Sequence, residues 1–424
     1  MTTQNSQISL LAAICIGIGG MIGAGIFSIL GVVAQTSGAA MWLSFLIGGI
    51  VALFSTYSYA KLGATFPSAG GAVQFLIEGW GIGNISGGIN LFMWIAYIIS
   101  IALYAQGFSA YFMTFFTTTP MPFIAKIVAI SVVVLFTGLN MLGAGSVGRA
   151  EVFIVLIKLT ILICFAGIGL FFISPQNLQM EHWSNWEHIL FGAGILFIGY
   201  EGFGLITNTA ANMKNPSASL PKALYISVFI VIAIYIAVSV AVIGNLSTAQ
   251  INQAGDYALA EAAKPFLGMM GFKLIAIAAL FSTASAINAT LFGAANVSYM
   301  IARDNELPED FDRSRWKNAP EGLLITTLLV IIFILFFDLA GVAMMGSGAF
   351  LFIYAAVNAG HLRILDKTGA RKSIVLFSLI LCLAMFCILE IYTYQKSPTA
   401  VYTMICLLAG SFIIEKIYRS RQKQ

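Results

Sequence analysis

Long apolar stretches separated by short polar segments run along the whole chain. Each stretch reaches about 20 residues or more, the length at which an apolar α-helix crosses a lipid bilayer. The sequence holds twelve of them, at residues 8–36, 39–64, 84–117, 122–142, 149–173, 188–212, 219–245, 266–301, 321–340, 342–364, 372–393 and 398–418. This pattern predicts an all-α integral membrane protein with twelve transmembrane helices.

Glycine interrupts the first and the sixth stretch. Gly17–Phe27 reads GIGGMIGAGIF, and Phe197–Gly204 reads FIGYEGFG. Since each glycine costs a helix interior roughly 1 kcal/mol relative to alanine, both segments are predicted to open inside the bilayer. The freed amides of Gly23, Ala24 and Gly25 suit an anion such as a carboxylate, and freed carbonyls in the second segment suit an ammonium group. A second interpretation stays open, in which the glycines are close-packing contacts between helices.

The two interruptions occupy corresponding positions in two sets of five helices. Each set opens with an interrupted helix, has a short segment after its second helix (Pro67–Gly83 in the first set, predicted to be interfacial or re-entrant), and contains a long third helix. Because five is odd, the second set is predicted to be inverted, a plan in which interrupted helices mark a transporter's binding site. We expect one transporter domain, with a first repeat at 1–173, an inverted repeat at 186–366 and two further helices at 370–420.

Two of the ionisable residues within the apolar stretches, Lys158 and Glu201, are candidates for function. Lys158 follows Arg149 in the fifth stretch and lies roughly 13 Å deeper at 1.5 Å per residue. A lysine so placed is a candidate proton relay; the alternative is a fixed cation bonded to first-helix carbonyls or to Ser282 and Thr283. Glu201 is a candidate functional acid by its depth; the alternative is an acid whose hydrogen bonds hold the unwound backbone in place.

Basic residues are distributed unevenly between the two sides of the predicted membrane. With the N-terminus inside, 16 of the 21 lysines and arginines fall on the inner side and 4 on the outer side, while Lys158 lies within a stretch. This bias predicts that both termini are cytoplasmic. The net charge of +4 therefore reflects topology and not a nucleic-acid surface. The first stretch lacks a basic leader and a cleavage motif, so no signal peptide is expected.

Residue types that carry enzyme or metal chemistry are sparse. The three histidines are scattered, and the five cysteines all lie inside apolar stretches. An odd number of cysteines at membrane depth favours packing over disulfide bonds. Because no cluster of catalytic or metal-binding side chains is visible, we expect neither an enzyme nor a cofactor, with the proton as coupling ion.

Five segments resemble the amino acid–polyamine–organocation (APC) superfamily, in particular its bacterial proton-coupled amino-acid permeases. They are GGMIGAGIF at Gly19–Phe27, FPSAGGAVQFL at Phe66–Leu76, FIGYEGFGLITN at Phe197–Asn208, KNPSASLPKA at Lys214–Ala223 and SAINATLFGAANVSYMIARDNELP at Ser285–Pro308. The resemblance implies a LeuT-type fold with two inverted five-helix repeats, two peripheral helices and broken helices one and six.

The resemblance also implies roles for individual residues. Those that would bind the substrate carboxylate are Ile22, Gly23, Ala24 and Gly25; those whose carbonyls would take the amino group are Phe197, Ile198 and Tyr200; and those expected as gate or pocket wall are Phe197, Phe203, Tyr97 and Asn288. Lys158 would replace the sodium ion of sodium-coupled relatives and reach toward Gly19 and Ser282. Glu201 matches an acid found in several members, including exchangers.

These expectations combine into a secondary active transporter that works by alternating access. Few charges surround the expected site, which favours neutral amino acids as substrates. Lys158, as the proton-sensing residue, predicts proton-coupled symport. The alternative is an obligate exchanger of the same fold, for two amino acids or for an amino acid and an amine. The expected partners are an amino-acid substrate and the lipid of a bacterial cytoplasmic membrane, with no nucleic acid. The oligomeric state is left open, because the last two helices either form a dimer face or contact only lipid.

Overall fold

The computed structural model describes residues 8–116, 121–141, 147–303, 314–316 and 319–422. Its α-helices are α1 (Leu10–Met21), α2 (Ala24–Phe27), α3 (Leu30–Ser37), α4 (Met41–Thr65), α5 (Ala72–Trp80), α6 (Asn84–Met113), α7 (Pro122–Met141), α8 (Val147–Phe171), α9 (Trp186–Ile195), α10 (Phe203–Thr207), α11 (Pro216–Asn245), α12 (Thr248–Ala254), α13 (Ala258–Glu261), α14 (Lys264–Arg303), α15 (Glu321–Phe336), α16 (Leu339–His361), α17 (Leu365–Thr368), α18 (Lys372–Lys396) and α19 (Pro398–Gln422). Short 3-10 helices cover Pro175–Leu178, Met180–His182, Leu196–Tyr200, Ala210–Asn212 and Gly255–Tyr257. Two short strands, β1 (Ser314–Trp316) and β2 (Ala319–Pro320), pair antiparallel.

Most of these helices are long and apolar enough to cross a membrane. Among the described residues, 11 meet that criterion, and Gly322–Phe336 of α15 forms a shorter apolar helix where the sequence predicts a span at 321–340. The chain is therefore an all-α, multi-pass membrane protein, as the apolar pattern predicts. The last five residues of the segment Ser285–Pro308 lie outside the described residues.

Capping side chains hold several helix starts. Ser9 precedes α1 and accepts a hydrogen bond from a first-turn amide at 3.2 Å. Asp338 precedes α16 and accepts from the amide of Gly341 at 2.9 Å. Ser247 and Gln250 form a capping box at α12. Each cap satisfies an amide that the first turn of a helix leaves without a partner.

The second and third helices of the two predicted repeats lie together at the centre of the bundle. The second helices, α4 and α11, pack against each other, and so do the third helices, α6 and α14. α6 is buried nearly throughout, whereas α7, α8, α18 and α19 expose many large apolar side chains. These four helices therefore lie at the lipid-facing periphery of the described part of the chain.

The two ends of the bundle are named by residues. α1 begins and α4 ends at what we call the Leu10 end, and α3 ends and α4 begins at the Ser37 end. α5 lies toward the Leu10 end and is too short to span. Its apolar side chains are buried against protein: Gly79 meets the backbone of Gly360 of α16, and Trp80 Nε1 donates to the carbonyl of Ala356 at 3.0 Å.

Candidate functional site

Two helical segments lose their regular α-helical form near the middle of the bundle. The first α-helix ends at Met21 and resumes at Ala24, with Ile22 at φ −83° and ψ 44° between them. The second ends at Ile195, continues as a 3-10 helix over Leu196–Tyr200, and resumes as α-helix at Phe203. Both interruptions coincide with the glycine-rich segments of the sequence.

The two interruptions cross each other through glycine backbone. A methyl group on Gly25 would lie 2.6 Å from the Cα of Gly199, and one on Gly20 would lie 3.1 Å from the Cα of Gly202. Real side chains essentially never show contacts under 3.0 Å, so the first of these approaches requires glycine. The glycines thus let the backbones of the two interrupted helices touch, which agrees with the close-packing interpretation, while the binding of an anion stays a prediction.

Tyr235 of α11 joins the two interruptions. Its hydroxyl lies 2.5 Å from the carbonyl oxygen of Met21 and 3.0 Å from that of Gly199, and its side chain is fully buried. The ring packs between those of Phe45 and Tyr200, each with a centroid separation of 5.2 Å. One hydroxyl therefore contacts a carbonyl oxygen of each interrupted helix.

Both backbone groups of Ile22, at the first interruption, have hydrogen-bond partners. The amide of Ile22 still donates to Ile18 at 2.8 Å, and the carbonyl of Ile22 accepts from Ser282 Oγ of α14 at 2.6 Å. The amide of Gly23 lies between α1 and α2, and that of Gly25 lies within α2. These are two of the amides that the sequence assigns to a carboxylate. Ala24 begins α2 beside them.

Ser347 of α16 holds the second interruption. Its Oγ donates to the carbonyl of Ile195 at 2.6 Å and accepts from the amide of Ile198 at 2.9 Å. The carbonyl of Ile198 accepts from the amide of Glu201 at 3.3 Å. A single hydroxyl thus replaces two of the helical partners that the 3-10 geometry removes.

The expected wall residues occupy different surroundings. Phe197 and Phe203 are fully buried against Tyr354 of α16, with ring centroids 5.7 and 5.1 Å away. Tyr97 of α6 packs edge-on against Phe350 of α16 at 5.7 Å. Asn288 accepts a hydrogen bond from Asn140 of α7 at 2.7 Å, which is a contact between α14 and α7. The three aromatic residues therefore share α16 as their neighbour, and Asn288 belongs to another helix pair.

Lys158 lies inside the bundle against the first interruption. Its side chain is 2% exposed, and its Nζ donates to the carbonyl of Gly19 at 2.9 Å. Gly19 is in the last turn of α1, where carbonyls lack amide partners. The ammonium group thus ties α8 to the Leu10 half of the first interrupted helix, a geometry that suits both a proton relay and a fixed cation.

Glu201 lies at the second interruption and is 1% exposed. Its Oε1 accepts from the hydroxyl of Tyr104 of α6 at 3.1 Å, and its carbonyl accepts from the hydroxyl of Tyr354 at 2.9 Å. Both its side chain and its backbone are therefore anchored to neighbouring helices.

Contacts also cover the crossing from both ends of the bundle. At the Leu10 end, the amide of Ile8 donates to the carbonyl of Asn212 at 3.0 Å. Toward the Ser37 end, the hydroxyl of Tyr111 of α6 donates to the carbonyl of Phe27 at 2.7 Å. Both halves of the first interrupted helix are thus held against other elements.

Sequence reasoning missed three residues that organise this site, namely Tyr235, Tyr354 and Ser347. Each is a hydroxyl-bearing residue in an apolar stretch, and such residues commonly bond their own helix. Their only signal in the sequence is that a buried hydroxyl needs a partner. Which partner it finds is set by helix packing.

Comparison of the sequence with known proteins assigns the chain to a family. A family model described as amino acid permease matches residues 8–412. The protein MJ0609 of Methanocaldococcus jannaschii, which carries no assigned function, is 42% identical over 100% of this chain and 98% of its own length. The inner membrane transport protein YbaT of Escherichia coli is 31% identical over 98% and 97%, and the serine/threonine exchanger SteT of Bacillus subtilis is 28% identical over 71% and 69%.

The match extends over nearly the whole chain and includes both interrupted helices. A full-length family match together with a relative above 30% identity decides the assignment. The chain belongs to the amino acid permease family of the APC superfamily, and it is a membrane transporter and not an enzyme.

Proposed function

We propose that this protein is a secondary active transporter that works by alternating access and couples the movement of neutral amino acids to protons through Lys158. The observation that carries the proposal is the crossing of the two interrupted helices, beside which Lys158 binds the carbonyl of Gly19. Backbone opened inside a bilayer needs partners. A zwitterion supplies an acceptor for the amides and donors for the carbonyls, and no cofactor other than the proton is required.

The finer architecture that we propose is the LeuT-type fold of two inverted five-helix repeats with α18 and α19 outside them. Its support is the parallel order of elements, since an interrupted helix, a long helix, a short segment and a longer third helix occur twice in the chain. The pairing of α4 with α11 and of α6 with α14 agrees with an approximate two-fold axis between the repeats.

In this proposal the substrate carboxylate binds at Ile22, Gly23, Ala24 and Gly25. The position of Gly23, Ala24 and Gly25 at the start of α2 supports it, because the first amides of a helix have no partner within the helix and suit an anion. The amino group would bind the carbonyls of Phe197, Ile198 and Tyr200, with Phe197, Phe203 and Tyr97 around the side chain and Asn288 at the pocket margin. Since Glu201 is engaged by Tyr104, these mostly apolar surroundings favour an uncharged substrate side chain.

Protonation of Lys158 would control the Leu10 half of the first interrupted helix. A charged ammonium group makes a stronger hydrogen bond to the Gly19 carbonyl than a neutral amine does. Loss of the proton would weaken the tie between α8 and α1 and allow α1 to move, while Ser282 keeps its bond to Ile22. The same proton would then be bound and released once in each cycle.

A second candidate function is obligate exchange. The relation to a protein named as a serine/threonine exchanger favours it, and that name also agrees with uncharged substrates. An exchanger supports counterflow of labelled amino acid into liposomes preloaded with unlabelled amino acid, without any proton gradient. Net uptake into empty liposomes distinguishes a symporter from it.

The decisive experiment compares Lys158→Met with the wild type in proteoliposomes under an inward proton gradient. A gradient of about one pH unit drives at most about tenfold accumulation if one proton accompanies each substrate. We expect the wild type to accumulate neutral amino acids and Lys158→Met to lose this uphill uptake. Lys273→Met, an exposed lysine on α14, is the matched control. Uphill uptake with normal pH dependence in Lys158→Met would disprove the coupling role.

The proposal also covers location. The relation to an inner membrane transport protein and the bias of basic residues support the cytoplasmic membrane, with the Leu10 end and both termini facing the cytoplasm. The partners would be an amino-acid substrate and bilayer lipid.

A further inference from the structure

An unpartnered acid lies on α18, outside the site described above. Both carboxyl oxygens of Glu390 are buried and have no hydrogen-bond partner among the described residues. The carboxyl group fits a notch at Gly348 of α16, where an added methyl would lie 2.5 Å from Glu390 Oε1 and 3.0 Å from Met404 Sδ of α19. A charged carboxylate in such surroundings is costly without a partner, so this packing suits a neutral carboxylic acid.

The charged and titratable groups nearby do not replace that partner. α18 packs against α16, α9, α4 and α19. The titratable groups at the level of Glu390 or nearer the Ser37 end lie on four helices: Lys396, Tyr392 and Tyr394 on α18, Asp338 at the start of α16, Glu187 and His188 on α9, and Tyr402 on α19. On α4 the titratable groups, Tyr57, Tyr59 and Lys61, lie only in its Leu10 half. Lys396 Nζ lies over the ring of Tyr392 at 5.9 Å, and no ion pair of Glu390 is found in the described part of the chain.

The neighbours of Glu390 on α18 touch the Ser37 halves of both interrupted helices. Leu389 packs on Gly194 of α9, where an added methyl would lie 3.0 Å from the leucine Cβ. The ring of Tyr392 lies 4.6 Å from that of Phe191, and its hydroxyl lies 3.3 Å from Thr36 Oγ1 of α3. The turns of α18 nearest the Ser37 end therefore contact both α3 and α9.

The notch residue is linked to the second interruption as well. Gly348 follows Ser347, whose hydroxyl binds both Ile195 and Ile198. A displacement of α16 at Gly348 would therefore move the groups that hold the 3-10 segment. Glu390 thus lies beside contacts to both interrupted helices, so that a change in its charge would act on their positions.

We propose that Glu390 is a second proton-binding site, separate from Lys158, that controls the movement of α3 and α9 during transport. In the binding step the carboxylate takes one proton from a hydronium ion at the Ser37 end: an O–H bond of hydronium breaks, an O–H bond forms on the carboxyl group, water is released, and the negative charge of Glu390 is lost. The neutral acid packs against Gly348, whereas the ionised form needs water between α16 and α18 and so separates them. The gating role rests on the proposed transport function; the proton site does not.

The proton site is tested by infrared spectroscopy of the purified protein at neutral pH. The absorption of protonated carboxyl groups is expected to lose the contribution of one group in Glu390→Gln and to stay unchanged in Glu187→Gln, an exposed glutamate of α9. Glu390→Met is a second neutral variant for the case in which the glutamine variant is not recovered folded. An unchanged protonated-carboxyl absorption in the folded Glu390 variants would overturn the proposal.

The gating role is tested by amino-acid exchange in proteoliposomes at a series of pH values. A single titrating group changes a rate by at most about tenfold per pH unit. Glu390→Gln is expected to lose the contribution of one such group and to keep that of Lys158, while Glu187→Gln keeps the whole wild-type profile. A wild-type pH profile in Glu390→Gln would overturn the gating role. If the wild type exchanges no amino acid at all, the proposed function fails together with the gating role, and the infrared result still decides on the proton site.

Discussion

At the scale of single residues, glycine sets how closely the interrupted helices approach. Gly25 and Gly199 are in direct backbone contact, and each lies where a side chain would enter the other. The hydroxyl of Tyr235 crowds the same position, that of a methyl group added at Gly25. The crossing therefore leaves no room for even one added methyl group at Gly25.

Gly25→Ala is accordingly expected to damage the crossing. Since the contacting atoms are backbone and a buried tyrosine, they cannot move aside easily, and overpacking of this kind costs about 1–3 kcal/mol. We expect a lower temperature of thermal unfolding in detergent and loss of amino-acid-induced stabilisation. Gly138→Ala in α7, where a methyl group would meet open space, is the control and should be neutral or stabilising by up to about 1 kcal/mol. Equal stability and ligand response of Gly25→Ala and wild type would contradict this reading of the crossing.

Residues that break a general rule were predictable from the sequence. The glycines of the first stretch stand out because so many within eleven residues weaken a helix. Lys158 stands out because charged residues are rare in membrane helices. Tyr235 and Ser347 break no rule, since hydroxyl residues are common in membrane helices. Their importance appears only in the structure, where Tyr235 joins two carbonyls of different helices.

At the scale of elements, the connection between α11 and α14 carries a charge that the packing disfavours. Asp256 lies in the 3-10 helix Gly255–Tyr257, outside the membrane-spanning helices. The carbonyl of Gly255 lies in van der Waals contact with Gly31 of α3. Burial and, to a lesser degree, the carboxylate of Asp338 raise the pKa of Asp256 from 3.8 to about 6.

This shift predicts a pH dependence of stability. Because the folded protein binds the proton more tightly than the unfolded chain does, the contribution of Asp256 to stability is fully present below pH 3.8 and is lost as pH rises through about 6. Asp256→Asn cannot ionise, so it should lose less stability than the wild type over this range. Thermal unfolding measured at several pH values checks this, with the exposed Asp366→Asn as control. A wild-type pH dependence in Asp256→Asn would contradict the assignment.

Elements differ in how well their sequence predicts them. The boundaries of α4, α6 and α11 follow from long apolar runs with polar ends, and α5 was recognised as too short to span. The sequence leaves open what α18 contacts, because an apolar helix gives the same signal whether it faces lipid or protein. The structure shows that its Ser37 half lies against α9, α16 and α3. Glu390 lies in this half, next to Gly348 of α16.

At the scale of the whole molecule, the orientation in the membrane remains a prediction of the charge bias. It is tested with single cysteines at Gln253 on α12 and at Lys367 on α17, two exposed positions at opposite ends of the bundle. In intact cells a membrane-impermeant thiol reagent should label Gln253→Cys and not Lys367→Cys, and permeabilised cells should label both. The native cysteines lie within α1, α8, α18 and α19, where such a reagent reaches them poorly. Labelling of only Lys367→Cys in intact cells would show that the chain has the opposite orientation in the membrane.

The sequence by itself determined that the chain is a multi-pass helical membrane protein, where two of its helices lose regularity, and which lysine lies at membrane depth. These features depend on composition and local backbone preference, which act within about 20 neighbouring residues. Only the tertiary structure decided that Tyr235 and Ser347 hold backbone groups of the interrupted helices. It also decided that Glu390, beside the helix that carries Ser347, has no hydrogen-bond partner among the residues that the structure describes. Those outcomes depend on contacts between residues far apart in the chain, and a pattern along one stretch cannot contain them.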